Sequence, residues 1–284
     1  MKQFKASCSM IKVLLASTKK EITEKQLSEV EALENREKMT TKQLERYDSL
    51  ISKRDSTEIV LSAGCKFYLK KYWGSIRNGK YVQLRTDFVS ALTIGKACEP
   101  DAVKMVSEYL NIPLFKYKKV IENDFMNGSV DAIDAKSIGK AKVIHEIKTT
   151  CSQKQFTSQI NRPLSQNQLY QMQGYLFLTG KEYGDMHFCL CPHPQSVIDE
   201  QKEIWYRSFE DANIPINERD ARWEKIKYRL TYSHIPLNEK VLSYRIYRDD
   251  DLIKRIYKTV IACREWLYNF DKEYNSLLTK KYYE

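Results

Sequence analysis

Glycine and proline are both scarce, nine and seven in 284 residues, which excludes a low-complexity or disordered chain. No hydrophobic run approaches the roughly 18 apolar residues of a membrane-spanning helix. The apolar patch from Ile11 to Ala16 is short and ends in Lys19-Lys20, so it does not read as a secretory signal. Cysteine is odd in number, seven, and its spacings fit no disulfide framework. That excludes a disulfide-stapled secreted domain and predicts buried free thiols in a reducing compartment. Together these absences predict a soluble, cytoplasmic protein with no membrane contact. Acidic residues are also outnumbered, 37 against 47 Lys and Arg. The resulting excess of +10 is spread along the chain rather than gathered in a tail, which favours a polyanionic partner such as nucleic acid.

What is present supports a packed fold. The chain is 42% hydrophobic and long enough for one large domain or two small ones. From residue 22 to 54 the composition turns to charged residues in near balance. Capping-box patterns stand at Thr23 with Gln26 and at Thr40 with Gln43. Stripes of Leu27, Val30 and Leu33 and of Leu44, Tyr47, Leu50 and Ile51 predict a helical hairpin. Its plainer reading is an insertion without chemistry; the alternative is a partner-docking arm. A helix is expected from Thr57 to Tyr72 with Ile59, Val60, Ala63 and Phe67 on one side. The basic and aromatic stretch that follows suits either a nucleic-acid backbone or a loop around a buried Trp73. Pro100 to Leu110 reads as a helix opened by Pro100, with Glu99 at its start and Ala102, Val103, Val106 and Tyr109-Leu110 facing a core.

The stretch from Val120 to Thr150 reads as two strands joined by a polar loop, Val130 to Ile133 and Lys142 to Thr149. Residues two apart on a strand share a face, so Glu146 and Lys148 point the same way and Asp131 on the paired strand can approach them. Two carboxylates and an ammonium at a sheet edge form a place where a divalent cation and a phosphate could meet. Beyond it come a helix from Gln166 to Leu178, with Gln171 and Tyr175 on one face, and a strand from Met186 to Pro192. One or two helices within 203–230, a short strand at 242–247 and an amphipathic helix from Asp249 to Tyr274 complete the chain. In the last, Leu252, Ile253, Ile256, Tyr257, Val260, Ile261, Leu267 and Phe270 keep helical period.

In this order and at these spacings the residues resemble the PD-(D/E)xK nuclease superfamily, in its branch of lambda exonuclease, YqaJ-type recombinases and RecB-type nucleases. Gly95, Glu99 and Ala102 match its G-x-x-x-E-x-x-A helix, and Gly128 with Asp131 its G-x-x-D strand. Glu146 with Lys148 match its E-x-K strand, and Gln171 with Tyr175 its Q-x-x-x-Y helix. The resemblance covers about residues 59–194. It implies an α/β, restriction-endonuclease-like mixed central sheet flanked by helices. The whole of 1–284 would form a single nuclease domain, with a helical hairpin insertion at 22–54, the core at 59–194 and a C-terminal helical extension at 195–284.

By the same resemblance the protein is a magnesium-dependent deoxyribonuclease, with manganese as the alternative ion, acting as a phage-type exonuclease on duplex DNA ends in recombination or repair. Hard oxygen ligands suit such an ion: Asp131, Glu146, the Ile147 carbonyl and Glu99. Lys148 would orient the attacking water, Gln171 would help place Lys148 or the DNA, and Tyr175 would brace the site. The segment FKASCS resembles the one that meets a 5′ phosphate, with Lys5, Ser7 and Ser9 as donors; Lys5 stands where the branch usually has arginine. The resemblance also implies a single-strand annealing protein as partner, a ring-shaped trimer, and the host cytoplasm if the chain is phage-encoded. An endonuclease or flap nuclease on the same fold, and a non-catalytic DNA-binding module, are the rival readings. His187, Cys189, Cys191 and His193 alternate along one strand and would span roughly 20 Å, too far to converge on one zinc. Cys8, Cys189, Cys191 and Cys263 do not match the spacing of the iron–sulfur cluster found in some relatives.

Overall fold

A computed structural model of the chain describes residues 3–16, 24–36, 38–55, 59–79, 91–208 and 214–280. In chain order the elements begin with strand β1 (Ala6–Ser7) and helices α1 (Ile11–Leu15), α2 (Glu24–Glu34), α3 (Thr41–Asp55), α4 (Ala63–Arg77) and α5 (Ala91–Leu110). Strands β2 (Phe115–Lys116), β3 (Ile121–Glu122), β4 (Met126–Gly128), β5 (Ala132–Ile133) and β6 (Ile144–Thr150) follow. Helices α6 (Gln153–Thr157) and α7 (Gln166–Thr179) lead to β7 (Tyr183–Leu190), then α8 (Gln195–Arg207) and α9 (Ile216–Thr231). Strand β8 (Val241–Tyr247) and the long helix α10 (Asp250–Lys280) close the chain. It divides into two compact units, one of residues 1–82, 124–126 and 250–284, the other of 83–123 and 127–249.

The first unit is helical. Along α10, Ile253, Ile256, Val260, Cys263 and Leu267 are buried at the 3–4 residue spacing of one helix face, while Tyr257 and Ile261 of the same periodic set are partly exposed. Helix α4 starts at Ala63, later than the expected Thr57, because the Ser62 side chain accepts from the Cys65 N–H and caps it there. Its buried face is Cys65, Leu69 and Trp73, whereas Phe67 is exposed, so the face expected from Ile59, Val60, Ala63 and Phe67 is corrected. Trp73 is packed edge-on against Phe270 and Tyr274 and donates from Nε1 to Asp271 Oδ1 at 2.8 Å. That settles Trp73 as a core residue; residues 80–90 of the basic stretch lie outside the described residues.

Helices α2 and α3 form the expected pair, with Val30, Leu33 and Leu50 buried together. Thr40 and Gln43 make the reciprocal bonds of a capping box, Thr40 N–H to Gln43 Oε1 at 3.0 Å and Gln43 N–H to Thr40 Oγ1 at 3.4 Å. Leu27 and Leu44 stay exposed. Thr23 of the other capping box lies outside the described residues.

The second unit is built on a five-stranded sheet of order β2-β5-β6-β7-β8. Only β6 and β7 run parallel, from Ile144↔Gly184 to Thr150↔Leu190; the other neighbours are antiparallel. A parallel pair needs a crossover, and α6 with α7 supply it. The first strand of the central stretch is shorter than expected: β4 ends at Gly128, β5 covers only Ala132–Ile133, and Asp131 immediately precedes it. β3 and β4 pair as a separate hairpin.

One sheet face packs on α5 through Cys98, Ala102, Val103 and Val106 against Ala132, Ile147, Cys151 and Cys189. α5 begins at Ala91 and carries Pro100 in its interior, so Glu99 sits mid-helix rather than at a helix start. Proline removes one helical hydrogen bond, yet burial of Cys98 on one side of it and Ala102 on the other holds the helix through that point. On the other face α7 starts with a complete capping box between Ser165 and Gln168 and ends at Gly180 in the left-handed conformation.

Across β6, β7 and β8, His145 Nδ1 lies 3.0 Å from His187 Nε2, and His187 Nδ1 lies 2.8 Å from Ser243 Oγ. His193 instead meets the Leu230 carbonyl, so the alternating histidines have separate partners. Seven buried cysteines are all free thiols.

Gly184 sits where α7 crosses β6 and β7. A Cβ there would stand 2.8 Å from Ile144 Cγ1, 2.9 Å from Met172 Sδ and 3.2 Å from the Ile144 carbonyl oxygen. Both side chains are fully buried, so neither can swing clear, and overpacking a core costs about 1–3 kcal/mol. Gly184→Ala should therefore lower the urea midpoint by a corresponding amount; an unchanged midpoint would show that the crossing is loosely packed.

Candidate active site

Antiparallel pairing of β5 with β6 matches Ala132 with His145 and Ile133 with Ile144. One residue further on, this register sets Asp131 opposite Glu146. Asp131 Oδ2 accepts the Ile147 backbone N–H at 2.7 Å, which locks the carboxylate to β6. Glu146 and Lys148 share the sheet face that α7 covers, as the two-residue period requires. Lys148 Nζ donates to Glu146 Oε1 at 2.6 Å and to Gln171 Oε1 at 3.2 Å. Gln171 Nε2 donates to Glu146 Oε1 at 2.9 Å and to Tyr175 OH at 2.8 Å. The i, i+4 spacing of Gln171 and Tyr175 brings both inward from one turn of α7, and both are buried.

The four polar side chains nearly exhaust one another, with one exception. Glu146 Oε2 is buried and receives no N–H or O–H donor, and the Asp131 carboxyl beside it can bond Glu146 only through a shared proton. A buried, unsatisfied carboxylate oxygen is costly, and its charge responds. Burial, reinforced by the negative charge of Asp131 and opposed by Lys148, raises Glu146 from its usual 4.5 to about 7. Burial also raises Asp131, against the Ile147 N–H and Lys148, which favour its ionised form.

Glu99 reaches the same open cleft of about 280 Å³, which Gly95, Lys96, Asp131, Glu146, Ile147, Lys148 and Thr149 also line. α5 and β6 approach closely there, and Thr149 Oγ1 donates to the Gly95 carbonyl at 3.4 Å. Glu99 Oε1 is held by Lys116 Nζ at 3.0 Å. Lys116 has no counterpart among the sequence-derived candidates. It lies on the two-residue strand β2, opposite Ala132, and so short a strand leaves no periodicity to find. Lys5, Ser7 and Ser9 belong to the first unit, where the Ser7 and Ser9 hydroxyls are 3.0 Å apart.

The donor set suits a hard divalent cation. Magnesium uses few carboxylates and keeps several waters, and here two carboxylates face each other with one oxygen orphaned. Among the described residues no group of three or more His, Cys, Asp and Glu side chains gathers to hold a metal, which fits Glu99 being paired with Lys116. Glu146 and Asp131, with the Ile147 carbonyl, are the residues that could hold the ion.

No protein-family model and no curated protein matches the sequence. Solved structures do match over nearly the full length. A phage-related exonuclease from Haemophilus somnus 129PT aligns with a TM-score of 0.56 at 17% identity, covering 95% of this chain and 96% of that one. The chain shares the fold of that protein. An alkaline exonuclease from Laribacter hongkongensis aligns with a TM-score of 0.53 at 14% identity, over 97% and 94% of the two chains. Its complex with dAMP aligns at 0.50 and 15% identity, over 77% and 87%. At such identities the likeness is one of fold, and it bears out the restriction-endonuclease-like α/β architecture expected from the motifs.

The raised Glu146 has a consequence for cation binding. In the folded chain Glu146 holds a proton between its usual 4.5 and about 7, and a cation must displace it. Magnesium affinity should therefore rise as pH increases through about 7, with up to one proton released on binding below that pH. Calorimetric titration in two buffers of different ionisation enthalpy measures both quantities. Glu146→Gln should abolish the pH dependence; pH-independent binding by the wild type would show that Glu146 is not a ligand.

Proposed function

We propose that the chain is a divalent-cation-dependent deoxyribonuclease that hydrolyses phosphodiester bonds, acting as an exonuclease on duplex DNA ends in recombination or repair. The observation that carries this reading is the joined constellation of Asp131, Glu146, Lys148 and Gln171, with one carboxylate oxygen of Glu146 left unsatisfied. The fold likeness to proteins described as exonucleases, one of them solved with dAMP, supports the substrate class, as does the excess of basic residues.

Asp131 and Glu146, with the Ile147 carbonyl, would hold magnesium or manganese, and Glu99 would join them on releasing Lys116. A bound divalent cation neutralises the charge of the phosphodiester and makes water a better nucleophile. Lys148 has three N–H donors, of which Glu146 and Gln171 take two. The third is left to donate to the attacking water or to a non-bridging phosphate oxygen as negative charge develops there. Gln171 is a positioning residue: its amide oxygen holds Lys148 while its nitrogen holds Glu146. Tyr175 accepts from the same nitrogen and keeps the amide from turning over.

Lys5, Ser7 and Ser9 would donate to a 5′ phosphate. By resemblance the chain would form a ring-shaped trimer and act with a single-strand annealing partner in a cytoplasmic setting. The chain of 1–284 would then work as one nuclease, with 22–54 as an insertion and 195–284 as an extension of the 59–194 core.

Linear duplex labelled at the 5′ or the 3′ end, incubated with magnesium, tests the reading. Lys148→Ala and Asp131→Asn should each lower the rate about 100-fold or more, a loss in keeping with removing one preorganised charge-stabilising group. Undiminished cleavage in both variants would sink the site assignment. The order of label release gives polarity, and cutting of covalently closed circles would favour an endonuclease.

A further inference from the structure

The C-terminal end of α9 is tied to the end of the strand that carries Glu146 and Lys148. Tyr232, which follows α9, donates from its hydroxyl to the Cys151 carbonyl at 2.7 Å, and Cys151 follows β6. Beside it the His193 N–H donates to the Leu230 carbonyl at 3.1 Å, and His193 follows the parallel strand β7. Tyr232 itself adopts φ +53°, a left-handed conformation uncommon for a bulky side chain, and its buried ring and hydroxyl bond hold it there. That reversal folds His234 back beside the last turns of α9, where its ring lies 4.9 Å from Tyr228 at 31°.

The result is an open groove of about 790 Å³ lined by Lys225, Lys227, Arg229, Tyr228 and His234. Three cations stand against a single carboxylate, Glu224, which lies 3.6 Å from Lys227. Tyr228 is 53% exposed, so its ring is available for contact and is not a core residue. An exposed aromatic pair within a cationic groove meets the two demands of a nucleic-acid strand: π-faces for bases and ammonium or guanidinium groups for phosphates. An acidic peptide would use the cations but leaves the exposed ring pair without a role. In open α/β sheets, ligands gather beyond the carboxyl ends of the strands, and the groove is anchored at those ends of β6 and β7.

We propose that the α9 groove is a second DNA-contacting site, which takes single-stranded DNA by stacking bases on Tyr228 and His234 and by pairing phosphates with Lys225, Lys227 and Arg229. The inference rests on the nuclease reading for its biological sense and places the groove as a guide for a separated strand leaving or entering the site on β6. None of its residues belongs to the hydrolytic machinery. The groove therefore contributes to substrate retention, not to the chemical step.

Anisotropy of a fluorescently labelled oligo(dT), titrated with the full chain in EDTA, reads the groove without cleavage. Tyr228→Ala should weaken binding about tenfold, the loss of one stacked base, while Tyr228→Phe should retain it. The pair Lys225→Glu and Arg229→Glu should weaken binding further and flatten its dependence on salt by about one to two released counterions. In cleavage assays these variants should raise KM and leave kcat within about twofold, since they remove binding made equally in ground and transition states. Unchanged binding by Tyr228→Ala and by the charge-reversal variant, in a chain that still cleaves DNA, overturns the groove and leaves the nuclease reading standing. Groove-dependent binding by a chain that cleaves nothing with magnesium supports the groove and overturns the nuclease.

Discussion

Glu146 is a carboxylate buried in the middle of a sheet face, and the second unit is organised around making that tolerable. Isolated charge in such a place is strongly disfavoured, so neighbouring elements send partners. β6 itself contributes Lys148 two residues on and α7 contributes Gln171, while the Asp131 carboxylate, pinned opposite through the Ile147 N–H, works against the Glu146 charge. The satisfaction is incomplete by one oxygen, and burial, with the negative charge of Asp131 beside it, pushes the Glu146 carboxyl up to about 7. Under the proposed function a divalent cation would take up that oxygen, supplying what the protein withholds.

The same arrangement explains several features that have no chemistry of their own. The parallel β6–β7 pair needs a crossover, and the crossover helix is the one that carries Gln171 and Tyr175 to Glu146. Gly184 lets α7 settle against the sheet without a side chain between Ile144 and Met172. Pro100 interrupts the bonding of α5 one residue after Glu99, at the point where that helix passes from the cleft onto the core formed by Ala102 and Val106. At the far end of β6, Cys151 receives Tyr232, so the strand that bears Glu146 and Lys148 also anchors the basic groove at α9.

Much of this was legible because the relevant periodicities are local. Glu146 and Lys148 are two apart on a strand, Gln171 and Tyr175 four apart on a helix, and Thr40 with Gln43 close a capping box, each a relation set by backbone geometry alone. Errors fell where a long-range contact outweighed a local signal. Pro100 reads as a helix start, but burial on both sides of it carries α5 back to Ala91. Phe67 shares the apolar side read for a helix from Thr57, yet the capping of α4 at Ser62 goes with a buried face of Cys65, Leu69 and Trp73. Lys116 left no signal, since an isolated lysine on a two-residue strand becomes meaningful only when Glu99 arrives 3.0 Å away.

The residues themselves determined which chemistry was available: paired acids, a lysine and an amide at spacings that strands and helices translate into shared faces. They also determined the excess positive charge and the free, buried thiols. Tertiary structure alone decided which acids lie together and which hold their protons, because ionisation depends on burial and on charges brought from distant parts of the chain. It set Glu99, held by Lys116, in one cleft with Asp131 and Glu146, which face each other across the β5–β6 register. It also turned scattered residues of α9 and the following turn into one cationic groove, because a single tyrosine in the left-handed conformation folds the chain back on itself.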